Sequence, residues 1–173
     1  MSKQPSPAIQ SPRELDFISH SVAQTIRVGQ RLGELLGAGD LVLLLGDFGS
    51  GKTHLIKGIA QGLGSTDLVN SPSFVLINEY RAGLSHGRMP IYHADLYRIE
   101  DPAELPGIGL EEAWSAGGVC LIEWAERARG WLPHDHLAIH LRYLNDTKRV
   151  LRFAPHGERY EALVSEFKKT AFA

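Results

Sequence analysis

Residues 41–53 read Leu41-Val42-Leu43-Leu44-Leu45-Gly46-Asp47-Phe48-Gly49-Ser50-Gly51-Lys52-Thr53. The first five form an unbroken apolar run between Asp40 and Gly46. A run without alternation is what a strand covered on both faces requires, and such strands belong to parallel sheets. The next eight residues match G-x-x-x-x-G-K-[ST]. Lys52 to Leu63 follows, with Leu55, Ile56, Ile59 and Leu63 on one stripe and Gly64 as the stop signal. Strand, glycine-rich turn and amphipathic helix, in that order, predict a phosphate loop. Glycines let the backbone N–H groups converge, and these groups together with the helix N-terminus attract an anion. Lys52 adds a charge for the β- and γ-phosphates, and the Thr53 hydroxyl can ligate Mg²⁺.

Upstream of this unit, residues 1–12 contain three prolines and three serines and are expected to form a disordered tail. Arg13 to Ile18 alternates, with Leu15 and Phe17 on one face, which predicts an edge strand. Ser19 or Ser21 then caps a helix carrying Val22, Ile26, Gly29, Leu32 and Leu36, ended by Gly37 and Gly39. Downstream, Phe74–Tyr80 and Met89–Ala94 flank a hairpin loop, and Pro102–Trp114 reads as short broken helices. Val119–Trp124 is a second buried strand, with Cys120 an inert core thiol. His136–Tyr143 and Arg149–Phe153 flank another hairpin, and 157–169 closes the chain as a helix. The pattern predicts a three-layer α/β fold with a mixed parallel and antiparallel sheet, in one domain over residues 13–170.

The chain has 173 residues, enough for one domain with a substantial core. Its single cysteine excludes an internal disulfide and gives no sign of secretion. No apolar run approaches the ~20 residues of a membrane span, and a cytoplasmic location is expected. The net charge of -2 argues against a free-standing nucleic-acid binder. The charge is uneven: residues 1–126 carry 9 basic and 15 acidic residues, residues 127–173 carry 9 and 5. That basic end is either a solvated edge or a surface for an anion.

The nucleotide can be narrowed. A GTPase needs N-K-x-D and D-x-x-G, and neither occurs, so ATP is expected. A small-molecule kinase is the competing reading, but the only arginine-bearing lid candidate is the short Glu126-Arg127-Ala128-Arg129. A phosphate loop needs a second acid at the end of a nearby strand. Glu123 ends an apolar strand and fits that role, or else is a solvent-facing strand end; Asp95 is the other candidate, for ordering a water or holding a switch segment, or else a local cap or an ion pair with Arg98. Ser71-Pro72-Ser73 lies where a segment sensing γ-phosphate and metal belongs, unless it is an ordinary proline turn. His93 reads as a satisfied core histidine rather than a catalyst. Trp124, next to Glu123 in a strand, should face away from the acid. It is either core packing, a lid near the nucleotide or an anchor for a partner.

Four landmarks occur in order: Gly46–Thr53, Ser71-Pro72-Ser73-Phe74, His93-Ala94-Asp95-Leu96-Tyr97-Arg98 and Leu121-Ile122-Glu123-Trp124. From about Arg13 to Phe153 the chain strongly resembles the TsaE (YjeE) family, bacterial P-loop ATPases of tRNA threonylcarbamoyladenosine synthesis. The resemblance implies a P-loop NTPase fold and an ATP-hydrolysing accessory subunit using ATP and Mg²⁺. It implies TsaB and TsaD as partners in modifying adenosine 37 of tRNAs reading ANN codons; the acidic balance of residues 1–126 suggests that tRNA is met indirectly, through the complex. It further implies Lys52, Asp95 and Glu123 as the catalytic set and Thr53 with Glu123 on the metal side. Gly49, Ser50, Gly51, Lys52, Thr53 and His54 would wrap the phosphates. Ser73 and Trp124 would border the nucleotide, with the adenine near Val22 and Thr25. The basic position after the second hairpin is Lys148 or Arg149, and alternation favours Arg149. Three positions depart from the family pattern: His54 for a threonine, Ser73 for the threonine of S-P-T, and Ala125 for a proline.

Overall fold

The computed structural model describes residues 13–72 and 76–171. The expected tail at 1–12, and Ser73 with the start of the strand expected from Phe74, lie outside the described residues. The remainder builds one seven-stranded sheet in the order β1-β7-β6-β2-β5-β4-β3. The strands are β1 (Leu15–Ser19), β2 (Leu41–Leu45), β3 (Ile77–Arg81), β4 (Pro90–Asp95), β5 (Val119–Glu123), β6 (His136–Tyr143) and β7 (Arg149–His156). The neighbours β6, β2, β5 and β4 are mutually parallel. Antiparallel β3 closes one flank, and β7 followed by β1 closes the other. The mixed sheet expected from the sequence is therefore present, with the apolar run Leu41–Leu45 at its centre.

Two layers cover the sheet. On one face lie α1 (Val22–Gly33), α2 (Lys52–Gly62) and α4 (Glu158–Ala171), whose apolar side chains join those of Val42, Leu44, Ile91, Val119 and Leu121 in the larger core. On the other face a 3₁₀ segment (Pro102–Ile108), α3 (Leu110–Ser115) and a 3₁₀ turn (Ala125–Ala128) pack on Leu41, Leu43, Cys120 and Ile122. Leu41 to Leu44 are thus buried alternately against both layers, which is why the run does not alternate.

Ser21 caps α1, accepting the Gln24 N–H at 3.0 Å, and the buried Ser19 hydroxyl instead meets Thr25 Oγ1 at 2.7 Å. The helix is shorter than its apolar spacing suggests. It stops at Gly33: the Glu34 N–H still reaches the Gln30 carbonyl, but Leu35 and Leu36 bond back only three residues, to Leu32 and Gly33, and Gly37 and Gly39 belong to the loop beyond. α1 and α2 cross at very close range. A Cβ added at Gly58 would overlap the Ile26 carbonyl oxygen, and one at Gly62 the Gln30 carbonyl oxygen. Gly29 and Gly33 meet the α2 backbone in the same way. The two G-x₃-G pairs let backbone touch backbone, and this close seam fixes where the N-terminus of α2 points.

Candidate nucleotide-binding site

The site begins where β2 ends. Gly51 is the N-cap of α2 at φ 100°, a left-handed conformation that glycine adopts without a steric penalty. No side chain caps that helix end, so its first N–H groups are left for a ligand. Phe48 to His54 line a cleft of about 320 Å³, whose other walls are Ser71, Asp95, Glu123, Trp124 and Arg149.

Sheet register delivers the acids. Asp95 at the end of β4 pairs with Glu123 at the end of β5, which pairs with Leu44 of β2. Both carboxylates therefore emerge at the same level of the parallel strands, beside the phosphate loop. Thr53 Oγ1 donates to Glu123 Oε1 at 3.1 Å and lies 2.8 Å from Ser71 Oγ. Glu123 Oε2 meets His93 Nε2 at 2.7 Å. Asp95 Oδ1 accepts the Tyr97 N–H at 2.9 Å, so the local cap and the cleft-lining position both hold for this residue. Burial pushes the Asp95 carboxyl above its ordinary value, opposed by the Tyr97 N–H.

Lys52 is buried, and its ammonium donates to the carbonyls of Gly46 and Asp47, the latter at 2.9 Å. Burial lowers its pKa, partly offset by Glu123, Glu126, Asp95 and Asp47. The Trp124 ring lies over this ammonium, 4.4 Å from Nζ to the centroid. This corrects the expectation that Trp124 faces away from Glu123. β5 ends at Glu123, and Trp124 takes φ 56° and ψ 39°, a left-handed residue that breaks the alternation of the strand. Acid and indole therefore border the same cleft. Trp124 also packs with Phe48 and Tyr97, ring centroids 5.1 Å from each, in a cluster at the cleft mouth.

Of the two basic candidates after the second hairpin, Arg149 borders the cleft. Its Nε donates to the Gly49 carbonyl at 3.0 Å, and its guanidinium lies over the Tyr143 ring. Lys148 instead closes the hairpin turn, its backbone N–H donating to Asn145 Oδ1. Val22 is exposed at the start of α1 and does not border the cleft, whereas Thr25 stands behind the phosphate loop near Gly51. The loop's Phe48 and the strand residue Tyr80 escaped the sequence reading. An aromatic inside a glycine-rich loop was the available signal for the first; for Tyr80, buried against His93, there was none.

Among the described residues, no three His, Cys, Asp or Glu side chains gather in a way that could hold a metal. The groups around Thr53 are two hydroxyls and a carboxylate, hard oxygens. They suit a cation such as Mg²⁺, which takes few protein ligands and completes its shell with phosphate oxygens and water.

Residues 19–151 match the family model described as Threonylcarbamoyl adenosine biosynthesis protein TsaE. The chain belongs to the TsaE family. The TsaE protein of Bacillus subtilis is 44% identical over 157 residues, spanning 91% of this chain and 96% of that protein. That of a Nostoc species is 41% identical over 135 residues, 76% and 80% of the two chains. Both carry the name tRNA threonylcarbamoyladenosine biosynthesis protein TsaE. The crystal structure of Bacillus subtilis YdiB superposes with a TM-score of 0.76 at 34% identity, covering 90% of this chain and 95% of that one. The four landmarks of the sequence thus sit in a TsaE-family chain with the expected P-loop fold. Among the described residues no helix is long and apolar enough to cross a membrane.

Proposed function

We propose that this TsaE-family protein binds and hydrolyses ATP with Mg²⁺ as an accessory subunit of tRNA threonylcarbamoyladenosine synthesis. It would work in the cytoplasm with the TsaB and TsaD proteins and meet tRNA through them. One observation carries the nucleotide-hydrolase reading: the Thr53 hydroxyl rests on Glu123, 70 residues away in sequence, at the open N-terminus of α2.

The residues divide the work. The N–H groups of Gly49 to His54 bind phosphate oxygens, drawn by the helix dipole. Lys52 exchanges the Gly46 and Asp47 carbonyls for the β- and γ-phosphates. Thr53 and Glu123 would hold a Mg²⁺ ion, which when bound neutralises charge developing on the phosphates. Asp95, which lines the cleft and whose burial favours holding a proton, would orient the attacking water and take up its hydrogen. Trp124 and Phe48 restrict water at the cleft mouth. Arg149 braces the loop carbonyl at Gly49, and Thr25, behind the loop near Gly51, would stand toward the rest of the nucleotide.

The test is ATP hydrolysis with and without the TsaB–TsaD pair, over a range of Mg²⁺. Slow turnover alone, stimulated by the pair, is expected, and Thr53→Ala and Glu123→Ala should abolish the Mg²⁺-dependent part. Fast turnover indifferent to the pair would overturn the accessory role.

A further inference from the structure

Glu123 is 3% exposed, so its carboxylate depends on protein donors for its hydrogen bonds. Oε1 is taken by Thr53, which leaves Oε2 to His93, a side chain that is wholly buried. The other ring nitrogen, Nδ1, lies 3.0 Å from the Tyr80 hydroxyl, and that hydroxyl donates to the Asn70 carbonyl at 3.1 Å. A carboxylate oxygen only accepts, so the His93 nitrogen facing Glu123 must carry its hydrogen. The Tyr80 hydroxyl has a single hydrogen: it accepts from Nδ1 while donating to the Asn70 carbonyl, or turns that hydrogen to Nδ1 when Nδ1 carries none, and it stays against the ring in either case.

The chain of contacts closes on itself. It runs from the Asn70 carbonyl through Tyr80, His93, Glu123 and Thr53 to the Ser71 hydroxyl. Asn70 and Ser71 are joined by a peptide bond. The ring spans β3, β4 and β5 and the first turn of α2, and it passes through one face of the sheet, where Tyr80 pairs with Ile91 and His93 with Leu121. Neither His93 nor Tyr80 borders the cleft.

We propose that His93, steadied by Tyr80, is a positioning residue that sets the Glu123 carboxylate and the Ser71 hydroxyl in register about Thr53, and so sets the affinity of the site for Mg²⁺. This rests on the nucleotide-site reading given above. His93 fixes which Glu123 oxygen is free to work beside Thr53, and Tyr80 fixes both the ring and the segment that delivers Ser71. The closed ring makes the two settings one.

The experiment measures binding of a non-hydrolysable ATP analogue by calorimetry, in EDTA and across a Mg²⁺ titration, on the full chain. Against wild type, His93→Leu should raise the Mg²⁺ concentration for half-maximal effect by about 10- to 100-fold, the usual consequence of removing an outer-shell partner. Affinity in EDTA should stay within about twofold, since the N–H cradle is untouched. His93→Gln, whose amide N–H can reach Glu123, should restore most of the loss. Tyr80→Phe, which removes only the hydroxyl, should shift the midpoint by about three- to tenfold, a milder outer-shell loss. An unshifted midpoint in a folded His93→Leu protein, or failure of His93→Gln to recover it, would overturn the proposal. If His93→Leu does not fold, an unshifted Tyr80→Phe protein overturns it. Wild-type binding that ignores Mg²⁺ would instead remove the underlying site reading.

Discussion

Gly58→Ala tests the seam between α1 and α2 directly. The new methyl would overlap the Ile26 carbonyl oxygen and lie 2.9 Å from its carbon and 3.0 Å from Gly29 Cα. All three are backbone atoms, so no rotamer change relieves the contact, and the helices must separate by about 1 Å. Overpacking of this kind costs about 1–3 kcal/mol, and backbone neighbours put it at the upper end. Alanine returns about 1 kcal/mol through helix propensity. The expected net loss is about 2 kcal/mol, or a fall in Tm of about 4–8 °C for a domain of this size. Thermal melts followed by circular dichroism measure it, with Gly37→Ala as control. That glycine has nothing within 4 Å of its would-be Cβ and should change stability by less than about 0.5 kcal/mol. Because α2 also carries the phosphate cradle, ATP affinity should fall in Gly58→Ala alone. A Gly58→Ala protein with an unchanged or raised Tm would refute the claim that the helix backbones are in contact.

The remaining expectations concern the cleft. The Asp95 carboxyl keeps its proton to higher pH in the folded chain than its ordinary 3.8, so it makes stability fall as pH rises from 3.8 through its raised folded value. Asp95→Asn, which still accepts the Tyr97 N–H, should raise the Tm at neutral pH, lose that advantage below pH 3.8, and slow hydrolysis by about a hundredfold; equal pH profiles for the two proteins would contradict the burial argument. Arg149→Met should weaken ATP binding about tenfold by calorimetry and Lys148→Met by less than about twofold, since only Arg149 holds the Gly49 carbonyl. The opposite ranking would transfer the contact to Lys148. Nucleotide binding should draw Lys52 away from the Trp124 ring and so alter tryptophan emission, and Trp124→Phe should remove most of that change; an undiminished signal would place its source at another tryptophan.

The sequence made the framework legible because its signals are local. Leu41–Leu45 is apolar on every position only because helices cover both faces of β2, and the glycine-lysine turn after it admits few alternatives. Glu123 and Asp95 were legible as strand-terminal acids, though their pairing across β4 and β5 is a matter of register that no single segment encodes. Trp124 was misjudged because strand alternation was carried one residue too far, past a left-handed backbone that leucine- or valine-like propensities do not announce. The end of α1 was misplaced for a related reason: Leu36 keeps helical spacing while the backbone has already tightened. Tyr80 was invisible because its role exists only where three strands meet.

The order of the sheet has a consequence for how the protein comes into being. Residues 41–53 emerge early in synthesis, yet their neighbour β6 and the Arg149 brace at the head of β7 lie in the last third of the chain. β1, the first strand made, pairs with β7, with Ser19 opposite Arg149. Such distant pairings form late and slowly. The nascent chain therefore carries a recognisable phosphate loop long before it has a finished one, and nucleotide can reward folding only after nearly all of the polypeptide has left the ribosome.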